Sequence, residues 1–138
     1  MAESNQHIVL VYKMYEWVCS NLLYGDSGSV MVDLPEIKKA SKPPMIVNDF
    51  RPDLYALQIK SNILIIGEAK TAKDFETRHS INQYKSYIYT CHLHNGKAYL
   101  VIAVPWFLVA RARNLLKRII KECTVDNTEL IVIPKLLS

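Results

Sequence analysis

The dipeptide Pro52-Asp53 is followed, one hairpin's length of chain later, by Gly67-Glu68-Ala69-Lys70. Glu68 and Lys70 are two residues apart, so on an extended chain both side chains leave the same face of a sheet. Leu64 and Ile66 precede them on that face, which is otherwise apolar. A carboxylate and an ammonium at the end of a buried strand must be paired, solvated or bound to a ligand. A partner strand beginning at Asp53 brings a second carboxylate alongside Glu68. Two converging carboxylates repel, and each favours protonation unless a cation holds them. A hard divalent cation such as Mg²⁺, with Mn²⁺ as its substitute, resolves that conflict with oxygen ligands and retained waters. This is the equipment of metal-assisted phosphodiester hydrolysis. The metal lowers the pKa of a bound water and offsets charge on the scissile phosphate. A neighbouring lysine orients the nucleophile or stabilises charge in the transition state.

The elements that must position these groups can be read from periodicity. Residues 6–24 have helical spacing, with Val9, Tyr12, Cys19 and Leu23 on one face and Glu16 in the middle of that stripe. A helix facing the sheet this way brings Glu16 to the site as an additional ligand. Gly25-Asp26-Ser27-Gly28 ends the helix, and a short strand is expected at 30–34. Residues 35–44, with Lys38, Lys39 and Lys42, read as an exposed connection, and 45–47 as another short strand. Residues 53–59 alternate, with Leu54, Ala56 and Gln58 on one face and Asp53, Tyr55, Leu57 and Ile59 on the other. Lys60-Ser61-Asn62 turns the chain into Ile63-Leu64-Ile65-Ile66, a continuous apolar run typical of a strand covered on both faces. A helix over 74–91 carries Ile81, Tyr84, Ile88 and Cys91 at core spacing. A strand at 97–104, a helix from Pro105 to about Glu122 and a strand at 129–133 complete the chain. The expected class is α/β: a central mixed sheet with helices on its faces.

Pro52-Asp53, Glu68-Ala69-Lys70, the apolar strand before them and the helix-borne Glu16 resemble the PD-(D/E)xK nuclease superfamily. The small size and early glutamate look most like the archaeal-type Holliday-junction resolvases. Gln83-Tyr84 and Tyr87 resemble the glutamine- and tyrosine-bearing helix that follows the ExK strand in many members. The resemblance covers residues 6–104 and implies a restriction-endonuclease-like αβββαβ core, here with an extra C-terminal helix and strand, and Mg²⁺-dependent cleavage of DNA. It implies Asp53 and Glu68 as metal ligands together with the Ala69 carbonyl, Glu16 as a supporting ligand, Lys70 as the catalytic lysine and Gln83 beside the metal shell or the phosphate. Junction cleavage further implies a homodimer, since one domain supplies one site.

Each residue also has an ordinary explanation. Glu68 and Lys70 can be a surface pair at a strand end, Asp53 a turn residue after proline, Glu16 and Gln83 solvated helix positions. The rival function is a non-catalytic nucleic-acid-binding or assembly module on the same fold. Cys91, His92 and His94 lack the further ligands of a zinc site, and no glycine-rich phosphate loop is present.

Composition narrows the field. The 138 residues are half hydrophobic and 22% charged, which excludes wholesale disorder. The longest apolar stretch, AYLVIAVPWFLVA at 98–110, is too short for a membrane span and contains Pro105. Three scattered cysteines and an acidic start, MAESNQH, suggest a reducing, cytoplasmic setting without an export signal. The formal net charge of +4 comes from the region beyond Pro35, because the chain before it carries Lys13 against Glu3, Glu16, Asp26 and Asp33. Arg51, Lys73, Arg78 and Lys85 flank the motif and are the candidates for contacts to backbone phosphates of DNA. Arg111, Lys117, Arg118 and Lys121, on the last helix, read as a solvated polar face.

Overall fold

Seven residues, Ile63–Ala69, form the strand that the rest of the molecule covers. In the computed structural model, which describes residues 5–23, 30–34, 44, 47 and 49–135, this is the third strand of five. The elements are α1 (Asn5–Asn21), β1 (Val30–Val32), β2 (Leu54–Gln58), β3 (Ile63–Ala69), α2 (Arg78–Leu93), β4 (Ala98–Pro105), α3 (Val109–Glu122) and β5 (Thr128–Lys135). A 3₁₀ turn at Trp106–Leu108 leads into α3. The order is thus αβββαβ followed by a helix and a strand, the order that the family resemblance implies. The Gly25–Gly28 turn, the connection bearing Lys38, Lys39 and Lys42, and Met45 lie outside the described residues. Val47, the end of the strand expected at 45–47, instead forms an isolated bridge to Phe50.

The sheet runs β1-β2-β3-β4-β5. β1, β2 and β3 are antiparallel neighbours, while β3, β4 and β5 are parallel. A parallel pair needs a crossover, and α2 and α3 supply the two. Crossovers of one hand that step in one direction place their helices on one face. Accordingly α2 and α3 share a core with Leu64, Ile66, Leu100 and Ile102. That leaves α1 to cover the opposite face, over Leu54, Ala56, Ile65 and Val101. The alternation of Leu64 and Ile66 with Ile65 between two cores is why β3 is apolar throughout.

The first helix is rotated from its expected phase. Its buried residues are Leu10, Val11, Met14 and Val18, whereas Val9 and Tyr12 are 46% and 45% exposed. Both stripes have helical spacing; the one that wins carries the larger unbroken apolar surface. Met14 packs onto β3 at Gly67, where a methyl group would lie 2.8 Å from Met14 Sδ and 3.2 Å from Leu54 Cβ. Glycine at that position allows α1 to lie close over the strand. The second helix starts at Arg78, not Asp74, because Thr77 caps it: Ser80 N donates to Thr77 Oγ1 at 3.1 Å.

Gly67→Ala therefore overpacks the contact between α1 and β3 and should lower stability by about 1–3 kcal/mol. The check is a urea titration, with a lower midpoint at unchanged slope. An unchanged midpoint would mean that α1 has room to lift off the strand.

Candidate active site

Asp53, Glu68, Lys70 and Gln83 are buried together on the α2 side of the sheet, each less than 10% exposed. Strand pairing assembles them. Leu54 stands opposite Gly67 in the β2–β3 hairpin, and extending that register by one residue brings Asp53 beside Glu68. The Ala69 N–H donates to Asp53 Oδ2 at 2.8 Å, which fixes the aspartate at the strand end. The Lys70 N–H donates to the Ala103 carbonyl at 2.9 Å, so the sheet continues past β3 and aims the lysine at the same face as Glu68.

The second helix completes the cluster. Thr77 and Ser80 hold its first turn, and the Tyr84 hydroxyl donates to the Phe75 carbonyl at 2.8 Å. Gln83 and Tyr87, one turn apart, then point at the strand end. Lys70 Nζ donates to Gln83 Oε1 and lies 3.3 Å from Glu68 Oε2. The Tyr87 hydroxyl donates to Glu68 Oε1 at 3.1 Å. Both Glu68 oxygens are therefore engaged, one by a cation and one by a phenol.

Electrostatics follow from this crowding. With both acids ionised, two carboxylates face one ammonium, an excess of one negative charge. Burial, and then the charge of Asp53, push the Glu68 carboxyl from its ordinary 4.5 up to about 8, against the opposing pull of Lys70 and Tyr87. Tyr87 and Tyr84 are both raised well above the usual phenol range by burial first and the Glu68 charge second. A hydroxyl so raised remains a hydrogen-bond donor.

Glu16 does not join the cluster. It is exposed, and the α1 residue at the site is His7, whose Nε2 lies 3.2 Å from Asp53 Oδ2. Nine residues separate the two, about two and a half helical turns, which places them on opposite faces. The rotated phase of α1 thus replaces a third carboxylate by an imidazole. His7 carries no motif in the sequence; only the correct helix phase, one turn before Leu10 and Val11, would have found it. Tyr87 was legible solely through the family resemblance. Among the described residues, no three His, Cys, Asp or Glu side chains form a metal-ligand group.

Arg51, Lys73, Arg78 and Lys85 are all exposed, before β2 and around the start of α2. Tyr84 and Tyr87 are fully buried, leaving Tyr89, at 55% exposed, as the surface tyrosine of that helix. No helix among the described residues is long and apolar enough to cross a membrane. Comparison of the chain with protein-family models, curated proteins and solved structures finds no match. The chemistry of the cluster is accordingly the basis for a functional reading.

The raised Glu68 value has a consequence for stability. Between pH 4.5 and about 8 the folded protein holds a proton that the unfolded chain has released. By linkage, this contribution is complete below the ordinary glutamate value and is lost as pH rises through the folded one. Metal-free protein should therefore melt at progressively lower temperature from pH 5 towards pH 8.5, and Glu68→Gln should flatten that decline. A parent profile already flat across this window would show that Glu68 ionises normally.

Proposed function

We propose that the chain is a Mg²⁺-dependent endonuclease that hydrolyses DNA phosphodiester bonds, with branched DNA the favoured substrate class. The observation that carries this reading is the burial of Asp53 and Glu68 against each other beside Lys70. Isolated from a ligand, the cluster is a liability, because desolvated like charges cost stability that an apolar trio would not. Two carboxylates and a backbone carbonyl are a suitable donor set for Mg²⁺, which keeps several waters and commonly takes only one or two carboxylates. Asp53, Glu68 and the Ala69 carbonyl would hold it, and Mn²⁺ would fit the same oxygens. When bound, the ion lowers the pKa of a water and offsets charge on the scissile phosphate.

The protein's own groups have distinct tasks. Asp53 Oδ2 accepts from Ala69 N and His7 Nε2, so the carboxylate is oriented before any ligand arrives. Lys70 directs one N–H to Gln83 and another towards Glu68, which pins the ammonium. Its third N–H remains for an incoming water or a phosphoryl oxygen. Gln83 acts by holding Lys70. Arg51, Lys73, Arg78 and Lys85 provide exposed positive charge for the flanking phosphates, a salt-sensitive and sequence-blind contribution.

Near-isosteric Asp53→Asn and Glu68→Gln should reduce Mg²⁺-dependent cleavage of branched and duplex DNA by at least about a hundredfold, as removal of a charge-stabilising group does. Glu68→Gln should at the same time raise the melting temperature of metal-free protein at pH 8, since it removes one of the repelling acids. Cleavage by both variants at the parent rate would refute the assignment. Binding by the parent without cleavage in either Mg²⁺ or Mn²⁺ would favour the non-catalytic module.

The rotated helix gives a paired test. His7→Ala should lower cleavage by roughly tenfold by loosening Asp53, the scale seen when a group orienting a metal ligand is removed. Glu16→Ala should leave the rate unchanged. A reversed result, with Glu16 essential and His7 silent, would restore the other helix phase.

A further inference from the structure

The carboxyl ends of the three parallel strands β3, β4 and β5 converge on a second feature, a pocket of about 250 Å³. Its walls are Leu10 of α1, Thr71 and Ala72 beyond β3, Pro105, Trp106 and Phe107 at the end of β4, and Lys135 closing β5, with Gln6 at the rim. Thr71 directly follows Lys70, and Gln6 precedes His7, so the pocket and the acidic cluster share the end of β3, the pocket on the α1 side with Leu10 and the cluster on the α2 side. Trp106 and Phe107 are 48% and 56% exposed, with their rings edge to face at 5.8 Å between centroids. Two adjacent large aromatics half in water at a strand end gain little for the fold. Neither ring is among the buried residues of either core.

We propose that this pocket receives one unpaired nucleobase of the DNA substrate, and hence that the enzyme selects sites where a base is already out of the stack. The proposal rests on the endonuclease reading and extends it from the bond cut to the structure recognised. Four observations favour a base over other occupants. The lining is mainly apolar and aromatic, which suits a flat heteroaromatic ring that stacks regardless of sequence. Gln6, exposed at the rim, offers hydrogen-bonding groups to a base edge, and the Thr71 hydroxyl in the wall, which donates to Asp74 Oδ2 at 3.3 Å, retains acceptor capacity. Lys135 supplies a cation for the attached phosphate. Thr71 and Gln6 are also chain neighbours of Lys70 and His7, so a base seated in the pocket would bring the strand it belongs to towards the end of β3, where Asp53, Glu68 and Lys70 lie on the other face. Ligands of open α/β sheets gather outside the carboxyl ends of parallel strands, which is where the pocket lies. Extruding a base from an intact duplex costs stacking and pairing energy, least where the base is unpaired already. Selectivity for junctions, flaps or bulges follows from that difference.

The test uses the full chain in EDTA, so that binding is measured without cleavage. Trp17→Phe leaves Trp106 as the one tryptophan, because the sequence has two. Titration with a short oligothymidylate should quench Trp106 fluorescence. Trp106→Ala should weaken binding to the oligonucleotide, and to duplex carrying a single bulged base, by roughly tenfold or more. It should leave affinity for fully paired duplex within twofold, and Trp106→Phe should restore most of the loss. Thermal melting confirms that each variant folds. Absence of quenching, or equal weakening towards bulged and paired duplex, overturns the proposal. So does a concentration-dependent shift of Trp106 emission without DNA, which would assign the pocket to a second copy of the chain. Because every readout is binding, failure of the endonuclease reading is seen separately, as a parent protein that binds and quenches yet cuts nothing in Mg²⁺ or Mn²⁺.

Discussion

Two carboxylates held against each other out of water are the constraint to which the surrounding structure answers. Neither Asp53 nor Glu68 has a solvent shell to disperse its charge, and a single ammonium, Lys70, stands against the pair. Each neighbour can be understood as a response to that condition. The Ala69 N–H and His7 stabilise one acid, Tyr87 and Lys70 the other, and Gln83 keeps the lysine in place. The donors suffice to keep the groups oriented but not to neutralise them. Burial first, and the charge of Asp53 second, drive the upward shift of Glu68.

The location of this cluster follows from topology. Among the described residues, β3 is the one strand with an antiparallel neighbour on one side and a parallel neighbour on the other. Through the hairpin it meets the beginning of β2, which brings Asp53; through the crossover it is overlaid by α2, which brings Gln83 and Tyr87. A purely antiparallel sheet would lack the helix at that point, and a purely parallel one would lack the strand start. Gly67 contributes from the opposite face by letting α1 settle low enough for His7 to reach the same strand end.

Much of this was legible from the residues. The apolar run at 63–66, the alternation of 53–59 and the two-residue spacing of Glu68 and Lys70 identified the hairpin and the face on which the acids meet. Those signals are strong because strand periodicity is rigid: a slip of one residue would turn every side chain over. Helix spacing identified Tyr84 and Ile88 as core, whereas Gln83 was legible only through the family resemblance. The first helix departs from its expected phase because two overlapping stripes both satisfy a step of three or four. Val9, Tyr12 and Cys19 compete with Leu10, Val11, Met14 and Val18, and local spacing contains nothing to choose between them. The choice is made by the sheet, where Met14 finds the space above Gly67. Glu16 and His7 exchange roles as a consequence.

That exchange bears on the chemistry. A third acid would have raised the negative charge at a site where Glu68 is already driven towards its protonated form, and would have made the metal-free fold harder to maintain. An imidazole can hydrogen-bond Asp53 as a neutral group, orienting the carboxylate without adding to the repulsion. A chain of 138 residues has limited core with which to offset buried charge. The cations Arg51, Lys73, Arg78 and Lys85 stay outside the cluster, exposed to water, where holding their charge carries no desolvation cost.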